Sequence, residues 1–246
     1  MTYLTDKTIL VTGASRGIGA ATARVCAAAG AQVLAHASGM SDAAASVSGE
    51  LDIEFLFEDL SEAGAGARLF AKALERAGRV DGVVNNAGVY LPSSLAGDGW
   101  DSGWAKTMAV NVQAPADICR AAVAHFRDAG GGGSVVNIAS RAGHRGDGGD
   151  HGAYAASKGA VLAMTKTWAR ALSGEGIHFY AIAPGWVETR MAPEDIAKRA
   201  EAVADIPLGR VAQPEEVADM VGFLLSGACP SAVGSTFDIN GASYVR

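Results

Sequence analysis

Two tyrosine–lysine pairs stand four residues apart, Tyr3/Lys7 and Tyr154/Lys158. Only the second lies in a helical pattern, continued by Val161, Met164, Thr165, Trp168 and Leu172 and stopped at Ser173-Gly174. Residues i and i+4 of a helix share a face, so the phenol and the ammonium project into the same space. A free phenol, with a pKa of about 10, exchanges protons poorly at neutral pH. A neighbouring ammonium favours the phenolate and is expected to lower that pKa. Such a pair can give a proton to a carbonyl oxygen or take one from an alcohol. Tyr3/Lys7 precedes the first apolar run and reads as a surface pair. Ser140, just beyond the run Val135 to Ile138, carries a hydroxyl that can bond an oxygen gathering negative charge, or can cap a turn.

A second chemical feature is the loop Thr12-Gly13-Ala14-Ser15-Arg16-Gly17-Ile18-Gly19. It follows the apolar run Thr8 to Val11 and opens a helix patterned by Ile18, Thr22, Val25, Cys26 and Ala29, with Gly30 placed at its end. Small residues let the backbone approach a pyrophosphate, and a helix N-terminus supplies unpaired N–H groups with a positive dipole end. The spacing is Gly-x-x-x-Gly-x-Gly, and no P-loop of the Gly-x-x-x-x-Gly-Lys type is present.

Seven apolar runs supply the strands that must carry these groups: Thr8 to Val11, Val33 to Ala35, Ile53 to Phe57, Gly82 to Val84, Val135 to Ile138, Phe179 to Ile182 and Thr236 to Ile239. They are apolar on both faces and alternate with helical patterns. The fold class predicted is α/β: one doubly wound domain over residues 1–246, a seven-stranded, mostly parallel sheet flanked by helices on both faces. Gly130 to Gly133, before the fifth run, reads as a flexible turn. Arg141 to Gly152 lies beyond the carboxyl end of a central strand, where ligands of open sheets bind, and is crowded with His144, Arg145, Asp147, Asp150 and His151.

Lys+Arg 20 against Asp+Glu 26 leaves a net charge of −6, so no basic field draws in a nucleic acid. Glycine is in excess, 32 residues where average usage of about 7% gives roughly half that. Cys26, Cys119 and Cys229 are widely separated and read as buried free thiols of a reducing compartment. The polar start, Met1 to Lys7, leaves no room for a signal peptide, and no run approaches the about 18 apolar residues of a membrane span. A cytoplasmic protein with no membrane partner is expected. No histidines or cysteines stand at metal-ligand spacing, and no metal is expected.

The glycine loop, Asn85-Asn86-Ala87-Gly88, Asn111, Ser140, Tyr154-x-x-x-Lys158, Pro184-Gly185-x-x-x-Thr189 and the tail Asp238-Ile239-Asn240-Gly241 together resemble the short-chain dehydrogenase/reductases over essentially the whole chain. The resemblance implies a Rossmann fold and hydride transfer between a dinucleotide and a carbonyl or secondary alcohol. It implies Asn111, Ser140, Tyr154 and Lys158 as the catalytic set, with Asn111 disturbing its helix and holding a water that links Lys158 to solvent. Gly13, Ser15, Arg16, Gly17, Ile18 and Gly19 would line the diphosphate and adenosine ribose. Asp59 and Leu60 would meet the adenine, and Asn86, Ala87 and Gly88 the sugar–phosphate backbone. Tyr154 and Lys158 would face the nicotinamide ribose, and Pro184, Gly185, Val187 and Thr189 the carboxamide. His36 stands where NAD-preferring enzymes place a carboxylate; with Arg16 nearby this favours NADP(H), NAD(H) remaining possible.

The family's well-known members that act on 3-oxoacyl chains of acyl carrier protein carry arginines before the fifth and sixth strands. Here those places hold glycines and Glu175, so a small free ketone or alcohol is the expected substrate. A carrier-bound 3-oxoacyl substrate and a non-catalytic dinucleotide-binding regulator are the alternatives. Ser140 and Tyr154 are 14 residues apart, slightly more than the family shows, so the loop between them is enlarged. A substrate lid is expected at about residues 186–205, with Met191, Ala192, Pro193 and Ile196 as its apolar cover. A homodimer or homotetramer is implied through the helices around Asn111 and Tyr154, with Trp168 and Leu172 either its apolar anchors or core.

Overall fold

The computed structural model describes residues 2–96, 99–189, 199–200 and 203–246. Its centre is one sheet of seven strands: β1 (Thr8–Val11), β2 (Gln32–Ala37), β3 (Phe55–Phe57), β4 (Gly82–Asn85), β5 (Gly133–Ile138), β6 (Ile177–Pro184) and β7 (Thr236–Ile239). Their order is β3-β2-β1-β4-β5-β6-β7 and every described pairing is parallel. The chain winds outward from β1 to β3, then returns to β4 on the other side of β1. That reversal opens a crevice at the carboxyl ends of β1 and β4, the switch point at which open α/β sheets bind ligands.

Strand side chains feed two cores in turn. Ile9, Val11, Val84 and Val136 join the cluster under α1 (Gly17–Ala28), α2 (Asp42–Leu51) and the last described helix, α8 (Pro214–Leu225). Leu10, Val83 and Val135 face the cluster under α3 (Ala65–Ala77), α5 (Ala114–Asp128) and α7 (Gly152–Leu172). Burial on both faces explains why these strands read as unbroken apolar runs. Between β4 and β5, Asn85 and Asn137 stand opposite each other, buried, and share a 2.8 Å hydrogen bond. Asn137 donates on to Thr165 Oγ1 of α7, tying the sheet to the helix that carries Tyr154.

The helical pattern from Trp100 to Arg127 is not one helix. It divides into α4 (Trp100–Met108), a π-turn at Ala109–Gln113, and α5. Asn111 sits in that turn, fully buried, where its Oδ1 accepts from Val89 N (2.8 Å) and its Nδ2 donates to Val89 O (3.0 Å) and Ser157 Oγ (3.1 Å). The one-turn helix α6 (Ala142–Arg145) follows β5.

Two expectations change. Gly130 to Gly133 is not merely a flexible turn: a Cβ on Gly132 would lie 2.3 Å from Gly176 O, and one on Gly133 2.5 Å from the Phe126 ring. Those glycines let the entry to β5 close against the entry to β6. Cys26 and Cys119 are buried, whereas Cys229 is exposed beyond α8. Trp168 and Leu172 pack on the α3–α5–α7 core while staying partly exposed, Trp168 with its ring 5.6 Å from that of Phe179.

Candidate active site

The switch point is held open by side chains that bond backbone. Thr12 Oγ1 donates to Val84 O and accepts from the N–H groups of Asn86 (2.9 Å) and Ala87 (3.0 Å). Asn86 Nδ2 returns to Thr12 O (2.8 Å) and Gly13 O (3.2 Å). Gly13 and Gly17 adopt φ of +65° and +53°, a region that side chains other than glycine rarely enter. Helix α1 begins behind this loop with no side chain capping it and no acid in its first turn. Its N–H groups and positive dipole end are therefore left for an anion.

His36 lines the cleft as expected and is also spent on structure. It is 2% exposed, and its Nδ1 lies 3.2 Å from the N–H of Gly13 while Nε2 lies 2.9 Å from Glu58 O. A backbone N–H can only donate, so Nδ1 is the acceptor and Nε2 carries the proton to Glu58. The imidazole is thus a neutral brace between the glycine loop and the end of β3, with no nitrogen left over for a ribose. Burial pushes its pKa down, against smaller upward pulls from Glu58. Gly19 departs from its expected place. It is buried behind the loop, where a Cβ would fall 2.1 Å from Gly13 O, and serves close packing, not a cleft wall.

Apart from Gly19 and Asn111, the other described residues singled out by the sequence converge with His36. A cleft of about 430 Å3 is lined by Gly13, Ser15, Arg16, Gly17 and Ile18 at one end and by Asp59, Leu60, Asn86, Ala87 and Gly88 along its floor. Ser140, Tyr154, Lys158, Pro184, Gly185, Val187 and Thr189 line its other end. The two ends meet where a Cβ on Gly17 would touch Thr189. Asn111 is absent from the wall; it lies behind Gly88, whose own Cβ would sit 3.3 Å from Asn111 Oδ1 and 3.6 Å from Lys158 Nζ. Its side chain, spent on Val89 and Ser157, sets the floor of the site. Of the expected lid, Met191, Ala192, Pro193 and Ile196 lie outside the described residues.

Lys158 is fully buried, and its Nζ donates to Ile138 O at 2.7 Å and stands 5.8 Å from the centre of the Tyr154 ring. Burial pushes its pKa down to about 8. The Tyr154 phenol is pushed up, first by burial; the Ser140 hydroxyl pulls the other way and the Asp147 charge adds to the rise. This corrects the expected lowering by the ammonium: burial sets the direction, and the pull downward comes from Ser140. Ser140 Oγ accepts from Ala142 N (3.1 Å), which fixes the hydroxyl at the start of α6.

Among the wall residues not foreseen, Tyr90 and Arg141 stand at the reacting end. Tyr90 meets Tyr154 edge-on with ring centres 4.8 Å apart and stacks on His151 at 3.8 Å; burial and Asp147 push its phenol up to about 12. Its place two residues after Gly88 was the available signal, since that segment leaves a strand at the switch point. Arg141, beside Ser140, also lines the cleft. Among the described residues no group of three His, Cys, Asp or Glu is placed to hold a metal, and no helix is long and apolar enough to cross a membrane.

Residues 13–241 match the family model described as enoyl-(acyl carrier protein) reductase. The chain belongs to the short-chain dehydrogenase/reductase family. It is 34% identical to a 3-oxoacyl-(acyl-carrier-protein) reductase of Thermotoga maritima, over 98% of this chain and 99% of that one. It is 32% identical to an L-rhamnose 1-dehydrogenase (NAD(P)(+)) of Azotobacter vinelandii, covering 99% and 98%. The crystal structure of a dehydrogenase/reductase from Sinorhizobium meliloti superposes with a TM-score of 0.91 at 28% identity, covering 99% of this chain and 98% of the other. The chain is accordingly an oxidoreductase acting on CH–OH and C=O groups with NAD(P).

Proposed function

We propose that this enzyme interconverts a small free ketone and its secondary alcohol with NADP(H), using Tyr154 as general acid and base. The observation that carries the reading is the convergence of Ser140, Tyr154 and Lys158 on one end of a cleft whose other end is a glycine loop and an uncapped helix. Gly13 to Ile18 and the first turn of α1 would hold the diphosphate, and Pro184, Gly185, Val187 and Thr189 the nicotinamide end. A bound nicotinamide supplies hydride to the carbonyl carbon or accepts it from the alcohol. Ser140 orients the substrate oxygen and donates to it as charge accumulates. Tyr154 delivers its proton to that oxygen, and its raised pKa keeps the proton in place until then. Lys158, protonated below about 8, keeps a positive charge beside the phenolate that remains.

The NADP preference is supported by the adenosine end of the wall. His36, Ala37 and Ser38 line the cleft at the end of β2 without a carboxylate, and Arg16 lines the same cleft. Asp59, the acid on that floor, accepts from Ser61 N and Oγ and is held low by those bonds. Against a carrier-protein substrate, Glu175 before β6 faces Arg127 in a two-bond ion pair of 2.6 and 2.8 Å, cancelling a cation at the place where an acidic carrier would dock. The proposed assembly is a homodimer or homotetramer; light scattering giving a monomer at micromolar protein would overturn that part.

The test is kcat/KM for NADPH and NADH over a panel of ketones and a carrier-bound 3-oxoacyl chain. The expected result is at least tenfold preference for NADPH and turnover of free ketones. Preference for NADH would remove the cofactor assignment, and turnover of the carrier-bound chain alone would remove the substrate assignment.

A further inference from the structure

The reacting end of the cleft contains a buried cation that proton and hydride transfer do not use. Arg141 follows Ser140 and is 7% exposed, yet its guanidinium has a hydroxyl, Ser243 Oγ, as its hydrogen-bond partner. Among the described residues it closes no ion pair. A guanidinium withdrawn from water without an anion is costly, and its planar fork of donors is shaped for a carboxylate. Arg145, four residues on along α6, lines the same cleft and likewise closes no ion pair among the described residues. Burial and the like charge of Arg145 weaken Arg141's hold on its proton, while the Asp147 and Asp205 charges strengthen it.

Asp147 locates this pair. Its charge is felt by Arg141, by the Tyr90 phenol and by the Tyr154 phenol, so the guanidinium lies toward the reacting end. The diphosphate position at α1 lies behind β1, two strands from β5 in the sheet. Two cations partly offset by two carboxylates leave room for a monoanion better than for a dianion. Tyr90 and Trp186 supply nonpolar wall beside it.

We propose that Arg141 and Arg145 form an anion subsite beside Ser140 and Tyr154, and that the substrate is a short oxo acid or hydroxy acid. Its carboxylate would sit within a few bonds of the reacting carbon, close enough to reach Arg141 while the oxygen meets Ser140. The inference rests on the oxidoreductase reading for the reaction and adds the class of substrate. It also accounts for the enlarged loop, in which α6 carries the second cation and Asp147 sets the charge of the site.

The test is calorimetric binding to the NADP+-loaded protein at pH 7, where an oxo compound beside oxidised cofactor cannot turn over. The probes are 2-oxobutanoate, 3-oxobutanoate and 4-oxopentanoate with their methyl esters. At least one acid is expected to bind tenfold or more tighter than its ester. That ratio should fall at least tenfold in Arg141→Gln and in Arg145→Gln and recover in part in Arg141→Lys, which restores the charge should the glutamine variant fold poorly. Absence of any acid preference in the native protein, or its survival in both glutamine variants, would overturn the subsite. NADPH oxidation by the same panel separates the two readings. Turnover without acid preference removes the subsite alone; acid preference without turnover of any carbonyl keeps the subsite and removes the proposed reaction.

Discussion

The glycines of Thr12–Gly19 and those of Arg141–Gly152 look alike in sequence and meet different surroundings. At Gly13, Gly17 and Gly19 an added Cβ would come within 3.0, 3.0 and 2.1 Å of neighbouring atoms. At Gly146, Gly148, Gly149 and Gly152 it would meet nothing within 4 Å. Gly143 belongs with the first group, because its Cβ would lie 2.7 Å from the backbone of Lys158. The first loop therefore uses glycine where neighbouring chain comes too close for a side chain, backbone at Gly13 and Gly19 and the Thr189 side chain at Gly17. The second uses it that way once, where α6 seats on α7; of its outer glycines only Gly146, at φ +83°, needs glycine's freedom.

The largest expected effect touches neither loop and so calibrates both. Tyr154→Phe should lower kcat by roughly 10²–10⁴-fold, with the NADPH dissociation constant little changed, as fluorescence titration would check; retained turnover would remove the acid–base role. The same chemistry sets a pH limit, because Lys158 loses its proton above about 8. Carbonyl reduction should therefore decline on that side, and a rate still rising at pH 9 would contradict it. Within the first loop, Gly19→Ala should cost about 1–3 kcal/mol in chemical denaturation and weaken NADPH binding at least tenfold, since the Gly13 carbonyl must move. If it is silent, the steric half of the comparison fails.

A smaller, pH-graded effect follows from the brace. The folded state lowers the proton affinity of His36, so below about 6.5 an unfolded chain takes up a proton that the native ring resists. The stability from neutral His36 is present above that pH and is lost as the pH falls. Thermal unfolding should show this slope between pH 7 and 5, reduced in His36→Asn, and an identical slope in the variant would exclude His36 as its source. The smallest effect belongs to the outer loop. Gly149→Ala should leave stability unchanged or raise it by up to about 1 kcal/mol, and a loss of more than that would show a contact the spacing does not reveal.

Most strands were legible because burial on both faces removes polar letters, as in Thr8–Val11, all four buried. β6 reaches further than its apolar run because His178 and Pro184 take part in pairing with β5 and β7 while reading as breaks. In the site, Tyr154, Lys158 and Ser140 were legible because their chemistry is local to a helix and a strand end. The bracing role of His36 was not legible for a non-local reason: its bonds are to Gly13 and Glu58, 23 and 22 residues away, and periodicity carries no such information. The burial of Arg141 follows from β6 and the tail closing over it, and the phenol's rise depends on burial that no i,i+4 spacing reports.

The π-turn at Ala109–Gln113 also acts as a phase shifter. An α-helix advances about 100° per residue, and a π-turn holds one residue more than the α-helical turn it replaces. Without that extra residue, the stripe of α5 formed by Ala114, Ile118, Cys119, Ala122 and Phe126 would point a quarter-turn or more away from α3. Deleting one residue between Ala109 and Gln113 would thus straighten a helix and unseat a whole layer, making this short stretch intolerant of length change whatever residue stands at 111.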